Sequence, residues 1–533
     1  MDSIRITCLL KQFDKYISAE TGPEFRICHE RPDFCRKRTV KNADALLSEN
    51  MACDILYRDR GTGADNMTKK AFKEAMKRGL GRCILELQKA EDPQRYREVV
   101  LWGCTHNLSY DTQCEGTRAW YMRELIRFFP DEEPLLEAVI RKLRKRRFRD
   151  RWEFCHYEEL VSCFARGGNQ RAMDALLETY RELYCFLERQ TARKGEAELP
   201  EWENLETLCI DLVDSLPHPF AVYGRIAEDI GRLLQKSGHP SGWHFDWLFA
   251  HCEQRYGKER IRNMLEKKAA GSSAAACYLT GMQERAWETK SPKKRTAYPE
   301  TTEALLRAFD WKEESVIRMS VWLKRSGNAE AARIFAERYI NETDREKRIR
   351  LLELFRISPF PLPPEAVIKD AESGDERLCR AAMQTLYVTR HETVRRYARI
   401  LAERGQNISD AAVLLAENYQ PEDRELLVRL VKKIPVTYED AENWHGVYSS
   451  VRRLLERKGV RNAPTELLFH MYENTLCSCC REYIVAEMGR RRQMTEQLWQ
   501  ECLWDSSQEI RARAGRRLAV RTRRSVGTEH RKR

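Results

Sequence analysis

A glycine and an asparagine, followed at fixed offsets by an alanine, a large apolar residue, a glutamate and a tyrosine, occur twice in this chain. The first copy is Gly168-Asn169 with Ala172, Leu176, Glu178 and Tyr180; the second is Gly327-Asn328 with Ala331, Phe335, Glu337 and Tyr339. A looser third copy keeps Ala411, Leu415, Glu417 and Tyr419 but separates Gly405 from Asn407 by one residue and lengthens the step to the alanine. The three tyrosines lie 159 and 80 residues apart. That ratio of nearly two to one points to a unit of about 40 residues, the length of a helical-hairpin repeat.

The residue types explain the spacing. Glycine takes the left-handed conformation that ends one helix, and asparagine caps the next by accepting a hydrogen bond from one of its unpaired amides. With Asn169 as the cap, Ala172, Leu176 and Tyr180 share one stripe of a helix, and the small alanine lets the preceding helix come close. That preceding helix supplies Tyr157, Leu160, Val161 and Phe164. A lone hairpin cannot bury both stripes, which is why such units come in arrays. The expected fold class is all-α, an α-solenoid of antiparallel helical hairpins wound into a right-handed superhelix.

Bulk properties agree. A chain of 533 residues is too long for one hydrophobic core, a limit that a stacked array escapes. Its 25 glycines and 18 prolines fall below the usual ~7% and ~5% shares, and charged residues make up 33%, as solvated outer helix faces require. No 18-residue apolar run and no export signal occurs, so no membrane association is expected. The 18 cysteines follow no framework spacing and are expected as buried thiols of a cytoplasmic protein.

The net charge of +12 is concentrated in two places. Residues 141–151 hold eight basic residues against Asp150, and residues 511–533 hold ten against Glu529. Subtracting those segments, +7 and +9, leaves the rest of the chain at −4. Any preference for a polyanion must therefore reside in these patches. The candidate nucleic-acid contacts are Arg141, Lys142, Arg144, Lys145, Arg146, Arg147 and Arg149 in the first, and Arg511, Arg513, Arg516 and Arg517 in the second. Few acidic partners stand close to the first patch in sequence.

Along the chain, residues 1–66 carry turn signals and no repeat, and are expected to cap one end of the stack. A helical-repeat region follows over 67–289, a linker over 290–300, a second repeat region over 301–520 and a basic disordered tail over 521–533. Thr112-x-x-Glu115 and Ser506-x-x-Glu509 read as capping boxes. Pro134 is expected to open a helix over 135–148.

Several clusters suggest chemistry, and each has a plainer explanation. Cys28 and Cys35, near His29, are too widely spaced for a zinc knuckle, and Cys477, Cys479 and Cys480 have no second cluster to complete four ligands. Asp111, Glu115, Arg118 and Glu124 are explained by capping and surface pairing. The stretch from Gly238 to Trp247 packs two histidines and two tryptophans into ten residues; it is expected as a loop entering a helix whose Trp247, Leu248 and His251 face the core. Phosphate-binding glycine loops, dinucleotide fingerprints, nucleophile elbows and zinc-protease helices are absent. No catalytic residue, metal or cofactor is expected.

Two segments resemble HEAT repeats by residue type as well as length. Asp505, Ile510-Arg511, Ala514 and Leu518 are similar to that family's turn aspartate, aliphatic-arginine pair, alanine and leucine; Asp370, Cys379-Arg380, Ala382 and Leu386 are a second match. The resemblance implies a pairing of Arg511 with Asp505 or with an adjacent unit. It also implies a scaffold or adaptor that binds a protein partner along a concave surface. The alternative is a nucleic-acid-binding protein similar to the HEAT-like alkylpurine DNA glycosylases, using the two basic patches.

Overall fold

The computed structural model describes residues 67–145, 148, 150–194, 200–237, 245–288, 301–310 and 315–529. The expected capping element 1–66, with Cys28 and Cys35, and the linker 290–300 lie outside them. The described residues form an all-α protein without strands. Many consecutive helices pack on each other, as Arg151–Arg166 does on Gln170–Lys194, and several also pack on the helix after next, as Arg151–Arg166 does on Pro200–Ser215.

The chain divides into two compact units. The first comprises Met1–Pro292, Cys477–Glu482 and Met494–Arg533; the second comprises Lys293–Leu476 and Tyr483–Gln493. The expected repeat region over 301–520 is thus split, because its last helices join the first unit. The reason is a set of bonds that the local pattern does not contain: Ser506 N donates to Gly79 O at 2.8 Å, and Arg82 Nε reaches Glu501 Oε1 at 2.9 Å.

In the first unit the helix Arg151–Arg166 packs against Ala119–Ile126, Glu133–Leu143, Gln170–Lys194 and Pro200–Ser215. It buries Tyr157, Leu160, Val161 and Phe164. The turn that follows is the first repeat copy. Gly168 has φ +86°, and Asn169 Oδ1 accepts from Ala172 N at 2.9 Å; loss of such a cap costs about 1 kcal/mol. Ala172 and Leu176 are buried, and the Tyr180 hydroxyl donates to Asp229 Oδ2 at 3.1 Å on the helix Pro219–Ser237.

The second unit repeats this chemistry. Gly327 ends the helix Val316–Ser326 with φ +60°. Asn328 Oδ1 then caps Ala329–Asn341 by accepting from Ala331 N at 3.0 Å. The Tyr339 hydroxyl donates to Asp370 Oδ2 at 2.7 Å on the helix Glu365–Ala371. The third copy departs from it, as its inserted residue requires. Asn407 is itself left-handed, with φ 46°, and its side chain caps nothing. Tyr419 is half-buried and donates to the backbone oxygen of Asn462 at 2.5 Å, while Glu417 is buried.

Other boundaries moved for local reasons. The helix expected to run on from Thr112 breaks at Gly116, which adopts φ 73°, giving Thr112–Glu115 and Ala119–Ile126. The caps sit one residue from the expected ones: Asp111 Oδ1 accepts from Cys114 N, and Ser507 Oγ accepts from Ile510 N. The helix after Pro134 stops at Leu143. The final helix runs over Gln508–Glu529, through most of the expected disordered tail; that span contains no proline and is rich in alanine and arginine, both good helix formers.

Candidate functional site

The first basic patch begins at the end of the helix Glu133–Leu143. Arg141 and Lys145 are exposed and Lys142 is half-buried; none of them makes an ion pair among the described residues. Arg146, Arg147 and Arg149 lie outside the described residues. Two further cations of the run are matched by carboxylates distant in sequence: Arg144 pairs with Glu178 and Arg151 with Glu203. Few acidic residues stand close to the run in sequence, and these partners come from helices that only the fold brings alongside.

In the second patch Arg513, Arg516 and Arg517 are exposed and make no ion pair among the described residues. Arg511 is different. Its Nη1 donates to the backbone oxygens of Asp505 at 2.7 Å and Ser506 at 2.9 Å. Its guanidinium stacks 3.6 Å from the centre of the Trp120 ring. Burial lowers its pKa to about 10. Arg511 is therefore a structural group, which corrects its assignment as a phosphate contact.

The expected Arg511–Asp505 association is present, but through the backbone. The Asp505 carboxylate is taken by Arg481, with Nε to Oδ2 at 2.8 Å and Nη2 to Oδ1 at 3.0 Å, both side chains fully buried. Nothing in the local sequence marks Arg481, because its partner is 24 residues away.

The tryptophan-rich stretch is described only from Phe245; His239, Trp243 and His244 lie outside the described residues. As expected, Leu248 and His251 are buried, with His251 Nε2 at 3.1 Å from Asp214 Oδ1. Trp247 was expected in the core and is instead 50% exposed. Its position is fixed from the backbone, since the buried carboxylate of Glu206 accepts from Trp247 N at 2.8 Å and Leu248 N at 3.1 Å. Burial pushes the Glu206 carboxyl up to about 8, against the opposing effect of those two amides. Arg151, held by Glu203, stacks 4.6 Å from the ring centre of Trp152 and 5.6 Å from that of Trp247. Glu203 and Glu206 lie one turn apart on the helix Pro200–Ser215. A single helix thus positions both the guanidinium and the exposed indole, and in sequence its two carboxylates resemble any solvated face.

The polar cluster near Asp111 caps helices, but it is not at the surface. The side chains of Glu115 and Arg118 are both 2% exposed. Glu115 accepts from Asp111 N at 2.7 Å and Ser478 N at 2.8 Å, and burial raises its pKa to about 7. Glu124 pairs with Arg127. Among the cysteines singled out, Cys477 Sγ accepts from Cys480 N at 3.4 Å and Cys479 Sγ donates to Cys114 O at 3.5 Å.

Buried carboxyls also occur away from any motif. Glu158, fully buried, faces Asp211 between the helices Arg151–Arg166 and Pro200–Ser215. Burial and that neighbouring carboxylate hold the Glu158 carboxyl well above its ordinary range, and Arg166 pairs with Asp211.

No family model matches the chain, and no curated protein matches it. Among solved structures, a crystal structure of an engineered protein from the Northeast Structural Genomics Consortium aligns with 82% of this chain and 98% of its own. The identity is 12% and the TM-score 0.18, too low for a shared fold. No helix among the described residues is long and apolar enough to cross a membrane.

Proposed function

We propose that this protein is a non-enzymatic scaffold or adaptor, an α-solenoid of HEAT-like hairpins in a right-handed superhelix, that binds a protein partner along its concave surface. The observation that carries the reading is the recurrence of one tie. At Tyr180 and again at Tyr339, a helix opened by a glycine-asparagine turn carries, eleven residues after the asparagine, a tyrosine that donates to an aspartate of a later helix. Repetition of a hairpin together with its link to the next is what a stack requires. The partner surface is supported by four large apolar side chains exposed in the second unit, Ile340, Ile400, Tyr438 and Phe469. The test is affinity capture with the full chain as bait and Ile400→Asp/Phe469→Asp as the comparison. A partner retained by the wild type and lost from the variant supports the reading; identical captures refute it.

A second reading is favoured by a separate observation. Arg141, Lys142, Lys145, Arg513, Arg516 and Arg517 make no ion pair among the described residues, as phosphate contacts would require. A salt series with labelled DNA and RNA tests it, since phosphate neutralisation gives a steep loss of affinity with salt.

A further inference from the structure

Two features that stand far apart in the sequence, the basic run after residue 141 and the tryptophan-rich stretch before residue 248, meet in the structure. We infer that the surface formed by Arg141, Lys142, Lys145, Arg151, Trp152 and Trp247 is a binding site for single-stranded nucleic acid. The inference rests on the second reading above and deepens it, by naming the strand form and the residue on which a base stacks.

Trp247 presents half of its surface to solvent, although tryptophan is highly buried on average. It is held rigidly: Glu206 fixes its backbone amide, and the Arg151 guanidinium braces its ring. Arg151 is already paired with Glu203, so its task is to hold the two indoles, Trp152 and Trp247. The charge for the backbone comes from cations that make no ion pair among the described residues, Arg141, Lys142 and Lys145. Lys145 stands six residues before Arg151 in the chain, and the helix that carries Arg141 and Lys142 packs directly on the helix that Arg151 opens. Unpaired cations beside a rigid, open aromatic face are the two components of single-strand binding. The cations track phosphates, and the ring stacks on an unpaired base whatever its identity. A duplex keeps its bases stacked on one another and offers the ring nothing.

The experiment is fluorescence anisotropy with the full chain and labelled 20-residue oligo(dT), oligo(U) and a DNA duplex, across a potassium chloride series. The wild type should bind both single strands more tightly than the duplex. Trp247→Ala should weaken single-strand binding about tenfold, the size of one lost stacking interaction, with the salt slope unchanged and Trp247→Phe restoring most of the affinity. Arg141→Ala/Lys142→Ala/Lys145→Ala should instead flatten the slope of log affinity against log salt by about 2. Thermal unfolding of each variant should match the wild type. Binding that is lost in the triple variant and unchanged in Trp247→Ala would overturn the stacking site while leaving the polyanion reading standing. An absence of binding to any oligonucleotide at low salt would overturn both, as would binding only to phosphatidylserine vesicles.

Discussion

Removal of one hydroxyl tests whether the repeated tyrosine-aspartate contact holds neighbouring helices together. The Tyr339 hydroxyl lies 2.7 Å from Asp370 Oδ2, and the same carboxylate oxygen receives Arg348 through Nε at 3.0 Å and Nη2 at 2.6 Å. Hydrogen bonds to charged groups are worth about 1.5–3 kcal/mol. In Tyr339→Phe the aspartate keeps its arginine, so the loss falls at the lower end, about 1.5 kcal/mol. Tyr180→Phe should cost a similar amount, because Asp229 keeps Arg232 at 2.7 Å. Tyr419→Phe should cost only about 0.5 kcal/mol, since its partner is a neutral carbonyl at the surface. The assay is urea unfolding followed by tryptophan fluorescence and far-UV circular dichroism, read as a shift of midpoint at constant m value. The reasoning is refuted if Tyr180→Phe and Tyr339→Phe stay within a few tenths of a kcal/mol of wild type, or if Tyr419→Phe is the most damaging of the three.

Arg481→Met leaves the fully buried Asp505 without its arginine and should destabilise the first unit by about 3–5 kcal/mol. Adding Asp505→Leu should recover part of that loss, and thermal unfolding of the two variants measures both effects. The Glu158 carboxyl titrates well above its ordinary range in the folded protein, so the folded state keeps a proton that the unfolded chain releases. Its contribution is therefore present below the unfolded pKa and is lost as pH rises toward the folded one. Glu158→Gln removes that dependence, and its thermal midpoint relative to wild type should rise between pH 6 and pH 9. A constant difference across that range would contradict the assignment.

The repeat was legible because its determinants are local. Glycine ahead of an asparagine, with an alanine three residues on, specifies a left-handed stop and a cap from neighbours in the chain, and both full copies have that geometry. The third copy showed its departure in sequence through the extra residue between Gly405 and Asn407. What stayed hidden involves long separations. Arg481 and Asp505, Ser506 and Gly79, and Arg151 and Trp247 are joined only by the fold, and no periodicity announces them. The capping boxes lie one residue out of register: Asp111 and Ser507, not Thr112 and Ser506, accept from the amides of Cys114 and Ile510. Trp247 was placed in the core because large aromatic residues usually go there; its exposure follows from the Glu206 carboxylate fixing the start of its helix.

Hydrogen exchange mapped along the whole chain, with and without Tyr339→Phe, tests most directly whether the hairpins are held by their neighbours. In a stack whose units touch only adjacent units, protection should fall in Ala329–Asn341, Arg345–Leu354 and Glu365–Ala371, the helices that carry Tyr339, Arg348 and Asp370, and stay at wild-type values in Arg151–Arg166 and Gln170–Lys194. An even loss of protection over all of these helices would contradict it.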